Sequence, residues 1–139
     1  MSRRASERTQ ACSDADATTR LRHARKFAEV AELVAGEGDE VEYASQAAAL
    51  AVLAGIAASD AACCKALGRR SRGQDHRAAI ALVEKVAPGG KRAAQSLNRL
   101  LSLKDEAHYG LLDVAGKDLK SALRQASELV RFAEETLRR

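Results

Sequence analysis

Tryptophan is absent, and phenylalanine, tyrosine and proline are scarce, with 2, 2 and 1 copies. So few aromatic rings weigh against a nucleic-acid binder that works by stacking bases. With one proline, little in the chain interrupts a helix. Cysteine is rare too, at Cys12, Cys63 and Cys64. Three thiols make no disulfide framework, adjacent Cys63 and Cys64 do not easily bridge one another, and no Cys-x-x-Cys spacing points to zinc. Cys63 and Cys64 are expected to be small buried hydrophobes on a helix. The longest apolar run, Ala47 to Ala58, is 12 residues, too short to cross a bilayer and too far along the chain for a signal peptide. Met1-Ser2-Arg3-Arg4 is basic, with no apolar stretch behind it. The expectation is a cytoplasmic protein with no membrane contact. Also missing are Gly-x-Gly-x-x-Gly, the P-loop, His-Glu-x-x-His and Gly-x-Ser-x-Gly, which disfavours P-loop hydrolysis, zincins and α/β-hydrolases. No metal site or cofactor is expected.

What is abundant is alanine, 30 of 139 residues. Alanine loses the least side-chain entropy in a helix, so the composition favours an all-α fold. At 46% hydrophobic and 30% charged residues, wholesale disorder is excluded. The length suits one domain with its own core. Residues 1–16 carry no apolar period and are expected to be a disordered basic tail, leaving 17–139 as the domain.

Five helical segments follow. The first spans about 17–35, on the stripe Leu21, Ala24, Ala28, Ala31 and Ala35. The second, about 41–67, is the longest and most apolar and should be central. Gly68 is placed to stop it, and Gly68 to Asp75 reads as a loop. Asp75 can cap a third helix over 76–87, ended by Pro88-Gly89-Gly90. A fourth runs about 91–109 and a fifth about 117–138, with Leu119, Ala122, Leu123, Ala126, Leu129, Val130, Ala133 and Leu137 on one face. Short connections then give an up-and-down bundle of four to five helices. Gly55, mid-helix, marks a close crossing, either by a neighbouring helix or by a second copy of the chain.

The net charge of +4 conceals segregation. Residues 27–64 hold seven acidic side chains and no basic one. Residues 65–77 hold Lys65, Arg69, Arg70, Arg72 and Arg77 against Asp75 alone. Such a cluster attracts phosphate or nucleic acid, or is a solvated interhelical loop. His76 follows it directly, at the expected N-terminus of the third helix, where backbone N–H groups and an arginine can hold a phosphate. Imidazole beside guanidinium is the minimum for metal-free RNA cleavage. The histidine moves the proton and the arginine stabilises the phosphorane charge. The alternative is an exposed first residue of a helix. Asp60 interrupts the apolar face of the second helix and must be paired, with Arg69, Arg70 or Lys104 as candidates. Lys104 and His108 are four apart, on one helix face, with Tyr109 beside them. They either border the same cleft or are solvated. His23, among Arg20, Arg22, Arg25 and Lys26, reads as solvated.

On these residues the chain resembles the HEPN (higher eukaryotes and prokaryotes nucleotide-binding) superfamily of small helical bundles. The family's mark is an arginine, four to six residues, then a histidine; Arg70 to His76 has five between and Arg69 to His76 six. The resemblance spans roughly 20–137 and includes Ser59-Asp60 and Lys104…Ala107-His108-Tyr109. It implies a metal-independent endoribonuclease acting as a homodimer, with the motifs of two protomers meeting at the interface. For the toxins of the family it implies a nucleotidyltransferase-like antitoxin as partner. The family's arginine is usually followed by Asn, Asp or His, where this chain has Ser71 or Arg70. Where some toxins carry a tyrosine two residues past the histidine, it has Ala78. Under this reading His76 is the acid/base, Arg70 or Arg69 the phosphate ligand and Asp60 an orienter. Arg72, Lys65, Lys104 and Tyr109 contact RNA or its phosphates. The contrasting hypothesis is a non-catalytic helical dimer that docks a protein or acidic ligand on its arginine loop.

Overall fold

Alanine density shapes the centre of the molecule. In the computed structural model, residues 8–37, 41–73, 75–109, 114 and 116–139 are described, without the side chains of 41, 42 and 105–109. The fold is an all-α helical bundle. Among the described residues the order is strand β1 (Thr9–Ala11), helix α1 (Asp14–Ala35), helix α2 (Val41–Leu67), strand β2 (Arg69–Ser71), then helices α3 (His76–Glu84), α4 (Gly90–Tyr109) and α5 (Gly116–Leu137). The expected helices sit within a few residues of these bounds.

Helix α2 is the hub. Ala47, Ala51, Ala54, Ala57, Ala58, Ala61 and Ala62 are fully buried on it, and α1 and α5 pack against it most extensively. Its stretch Tyr43–Leu67 is long and apolar enough to cross a membrane by length and composition, with an 18-residue window of mean hydropathy 1.8, but 78% of that window is buried inside the bundle. Burial in the core accounts for that apolarity. The stripe of α5 is buried as expected at Ala122, Ala126, Leu129, Val130 and Ala133. Gly55 meets its own chain. A β-carbon there would collide with the side chain of Leu100 on α4 and come within 3.1 Å of Leu129 on α5.

The expected tail is corrected in its second half. Ser13 caps α1 three residues earlier than the apolar period suggests, because capping is polar chemistry. Its Oγ accepts from the Asp16 N–H at 3.1 Å, and Asp16 Oδ2 accepts from the Ser13 N–H at 2.9 Å. Thr9–Ala11 pairs antiparallel with Arg69–Ser71, in register Thr9↔Ser71, Gln10↔Arg70, Ala11↔Arg69. The expected Gly68–Asp75 loop is therefore partly strand; residues 1–7 lie outside the described residues. Gly68, at φ +69°, turns the chain out of α2, a conformation open to glycine.

The ribbon corrects the cysteine reading as well. It delivers Cys12 to the last turns of α2, where it forms a disulfide with Cys64 (Cα–Cα 5.3 Å). A tail taken as disordered gave Cys12 no place, so its partner could not be seen in the sequence. Cys63 stays a free, buried thiol, and burial beside the Asp60 carboxylate pushes its pKa up to about 12.

Candidate functional site

Four of the residues singled out in the sequence line one cavity. It measures about 220 Å³, between α2, α3, α4 and β2, and its walls include Asp60, Arg70, His76 and Lys104. Ile56, Ala79, Leu97 and Leu101 form an apolar side, and Arg20, Ser59, Ser71 and Asp75 complete the polar one.

Each element brings its residue for a local reason. Ile56, Ser59 and Asp60 fall on one face of α2 at helical spacing. Pairing with β1 holds β2 extended, so that Arg70 and Ser71 reach the cavity. Asp75 accepts a hydrogen bond from the Ala78 N–H (3.2 Å) and sets the start of α3, which fixes His76 as its first residue.

Asp60 is 8% exposed. Its Oδ2 accepts from Arg20 Nη2 at 3.0 Å, and Arg70 Nη1 lies 3.8 Å away. The expected partner Arg70 is thus the looser of two; the closer one, Arg20, comes from α1. Burial holds the Asp60 pKa above its ordinary value, against the pull of Arg20 and then Arg70. Desolvation outweighs the pairing, as expected for a carboxylate in so apolar a core. Arg70 is braced on its other side, where Nη2 donates to Gln10 Oε1 at 3.1 Å. Arg20 and Arg70 also line a second cavity, of about 310 Å³, shared with Gln10, Cys12 and Asp16. Both arginines thus line both cavities.

Three other expected residues, Arg69, Lys65 and Arg72, do not line the cavity. Arg69 turns to β1, its Nε donating to Thr9 Oγ1 at 2.6 Å and its Nη2 to the Thr9 carbonyl at 3.4 Å. Of the two motif arginines, Arg70 is the one that shares the cavity with His76. Lys65 pairs with Asp14 at 3.1 Å. Arg72 is exposed, and its backbone N–H donates to the Arg8 carbonyl at 2.8 Å. The side chains of His108 and Tyr109 lie outside the described residues.

Sequence reasoning missed Arg20 as a wall residue because it places Arg20 with His23 on a solvated face of α1. It also gave no role to Ser59 and saw Ser71 only as a departure from a motif. Three buried polar atoms on these residues, Arg20 Nε, Ser59 Oγ and Ser71 Oγ, have no hydrogen-bond partner among the described residues. Compared with protein-family models and with curated proteins, the chain matches none.

Proposed function

We propose that the protein is a metal-independent endoribonuclease of the HEPN type, working at the Arg70–His76 cavity. The observation that carries the reading is the convergence of Asp60, Arg70, His76 and Lys104, chosen from the sequence, on one cavity wall. In this reading His76 moves a proton to or from the ribose oxygens. Arg70, oriented through Asp60, stabilises charge on the phosphorane, and Lys104 draws the backbone in. A homodimer would place two such sites together. Leu53, 44% exposed and one turn from Ile56 on α2, offers apolar surface beside the cavity for a second copy. A nucleotidyltransferase-like antitoxin remains the partner proposed on family resemblance. For location, the Cys12–Cys64 disulfide favours an oxidising compartment. The cytoplasm expected from the sequence suits a form with both thiols reduced.

The test incubates wild-type and His76→Ala protein with mixed RNA in excess chelator and examines the products for 2′,3′-cyclic phosphate ends. Cleavage by wild type, with at least a hundredfold loss in the variant, is expected. Equal cleavage by a folded His76→Ala protein refutes the reading.

One observation favours a second reading, a non-catalytic binding module: Arg70 is held between Gln10 and Asp60 as a structural brace would be. That reading predicts no cleavage. It also predicts binding of an acidic partner that survives His76→Ala and fails when Arg69, Arg70 and Arg72 are replaced together.

A further inference from the structure

The disulfide and the cavity arginine are joined through one strand pair. Cys12 follows β1 directly and is bonded to Cys64 in the last turns of α2. Two residues before it, Gln10 stands across from Arg70 in the register of the ribbon. Its Oε1 accepts from Arg70 Nη2 at 3.1 Å. Backbone bonds flank that pair, from the Cys12 N–H to the Gly68 carbonyl at 3.0 Å and from the Arg72 N–H to the Arg8 carbonyl at 2.8 Å. From this extended strand Arg70 lines the cavity that it shares with His76.

Alone, the ribbon is a weak support. Each strand has three residues and the sheet has two strands, a size that is marginal in water. The disulfide holds Cys12 against α2 and so turns strand pairing into an encounter at high effective concentration. With the bond open, β1 keeps its pairing, Arg69 on Thr9, Arg70 on Gln10 and the 3.9 Å approach of Arg8 to Asp75. The last two are exposed, and exposed polar contacts add little.

The rest of the fold does not depend on that bond for its charges or caps. Helix α1 starts from its own capping box, Ser13 with Asp16, outside the ribbon. The buried Asp60 carboxylate accepts from Arg20 of α1 at 3.0 Å, a bond that does not pass through the ribbon. Arg70 can therefore leave without stranding a bare charge in the core. Cys12 lines the second cavity while Cys64 is 1% exposed, so an incoming thiolate meets Cys12 first.

We propose that the Cys12–Cys64 disulfide is a redox switch for Arg70. Closed, it holds the arginine at the cavity; open, it lets β1 and Arg70 come away from a bundle that stays folded. The reductant is a small dithiol. One of its thiolates attacks Cys12 Sγ, the bond to Cys64 Sγ breaks, and Cys64 leaves as a thiolate that takes a proton from solvent. The dithiol's second sulfur, as thiolate, then displaces Cys12 in the same way. Two electrons have passed to the protein, and the dithiol has become a cyclic disulfide. The oxidised dithiol runs the exchange backwards. The proposal deepens the ribonuclease reading by giving its site a regulation. It rests on that reading for the change in activity, whereas the release of Arg70 stands without it.

The test compares the oxidised full-length protein, the same protein in excess dithiol, and Cys12→Ser. Nitrogen relaxation reads the order of the Arg70 Nε–H. Methyl signals of Leu100 and Leu129, both buried, report the core, and RNA is supplied in excess chelator. Reduced wild type and Cys12→Ser should keep the core signals and lose order at Arg70. They should cleave about a hundredfold more slowly, the scale of a misplaced reacting group. Reoxidation should restore wild type and not the variant. Gln10→Ala keeps the bond and removes the brace, and should loosen Arg70 without any reductant. An Arg70 equally ordered with the bond open, or in Gln10→Ala, overturns the proposal. So does a core that unfolds on reduction, since a switch needs a folded open state. Order lost on reduction, in a protein that cleaves RNA in neither state, upholds the switch and removes the ribonuclease reading. Equal cleavage in both states does the reverse.

Discussion

Breaking the Cys12–Cys64 bridge should cost about 4 kcal/mol. The bond closes a loop between residues 52 apart, and the chain-entropy relation for that length gives about 14 cal/mol/K, or about 4 kcal/mol at room temperature. Strand β1 is otherwise tied to β2, by pairing and by the Arg69 and Arg70 side chains on Thr9 and Gln10. It is three residues long and pairs with β2 alone, and two-stranded ribbons are marginal in water. Cys12 is half-buried on the wall of the second cavity, so a dithiol can reach its sulfur, expel the Cys64 thiolate and close its own disulfide. The perturbation is reduction, or Cys12→Ser, which replaces the more accessible partner. Urea unfolding reads the result. With a slope of roughly 2 kcal/mol/M, the midpoint should fall by about 2 M. The amides of Cys12 and Arg72, which donate to Gly68 and Arg8, should lose exchange protection first. The oxidised, unfolded chain should take up one equivalent of alkylating reagent, at Cys63. Three equivalents, or a midpoint that reduction leaves in place, would refute the reasoning.

Asp60 should make stability fall as the solution is made less acidic. Its pKa is raised in the fold above the ordinary 3.8. Between 3.8 and the raised value the folded chain therefore holds a proton that the unfolded chain has lost, and unfolding free energy decreases with rising pH. Urea titrations across that window should show a decline that Asp60→Asn lacks; parallel curves would count against it. Arg20→Met alone should cost about 2–3 kcal/mol, since it strips the closest partner from a buried carboxylate. Adding Asp60→Leu should recover most of that loss, and a double variant no more stable than the single one would show that the pair contributes net stability. Gly55→Val should cost about 2–3 kcal/mol through overpacking against Leu100 and Leu129. An unchanged melting midpoint would mean that the helices part easily there.

The helices were legible because alanine content and apolar spacing act locally. The α5 stripe lies on the buried face it suggested, and Asp75 caps α3 as its residue type and position indicate. Illegible were the contacts made by residues with no period. Thr9–Ala11 has no apolar pattern and pairs with β2, some 60 residues away. The disulfide depends on that pairing, so it was hidden with it. Asp60 was recognisable as a residue needing a cation. That the nearer cation is Arg20 follows from how α1 crosses α2, which sequence spacing does not encode. Ser59 sits in an alanine-rich run where it passes for one more small residue. Only in three dimensions does its hydroxyl show itself unanswered.

The cavity's chemistry also runs against what stability alone would select. An alanine-built hub gains most from apolar neighbours, and a buried ion pair rarely beats a hydrophobic substitute of similar volume. Yet α2 carries Ser59 and Asp60 on its buried surface, with burial still prevailing over two arginines in the Asp60 titration. Among the described residues Gln125 Oε1 on α5 is a further buried atom without a partner, and Gln125 lines a different cleft. Among the described residues, Arg20, Ser59 and Ser71, each with a buried unpartnered atom, thus belong to the same small cavity as Arg70 and His76. Local rules that fail together in one place mark a site more reliably than any one of them fails alone.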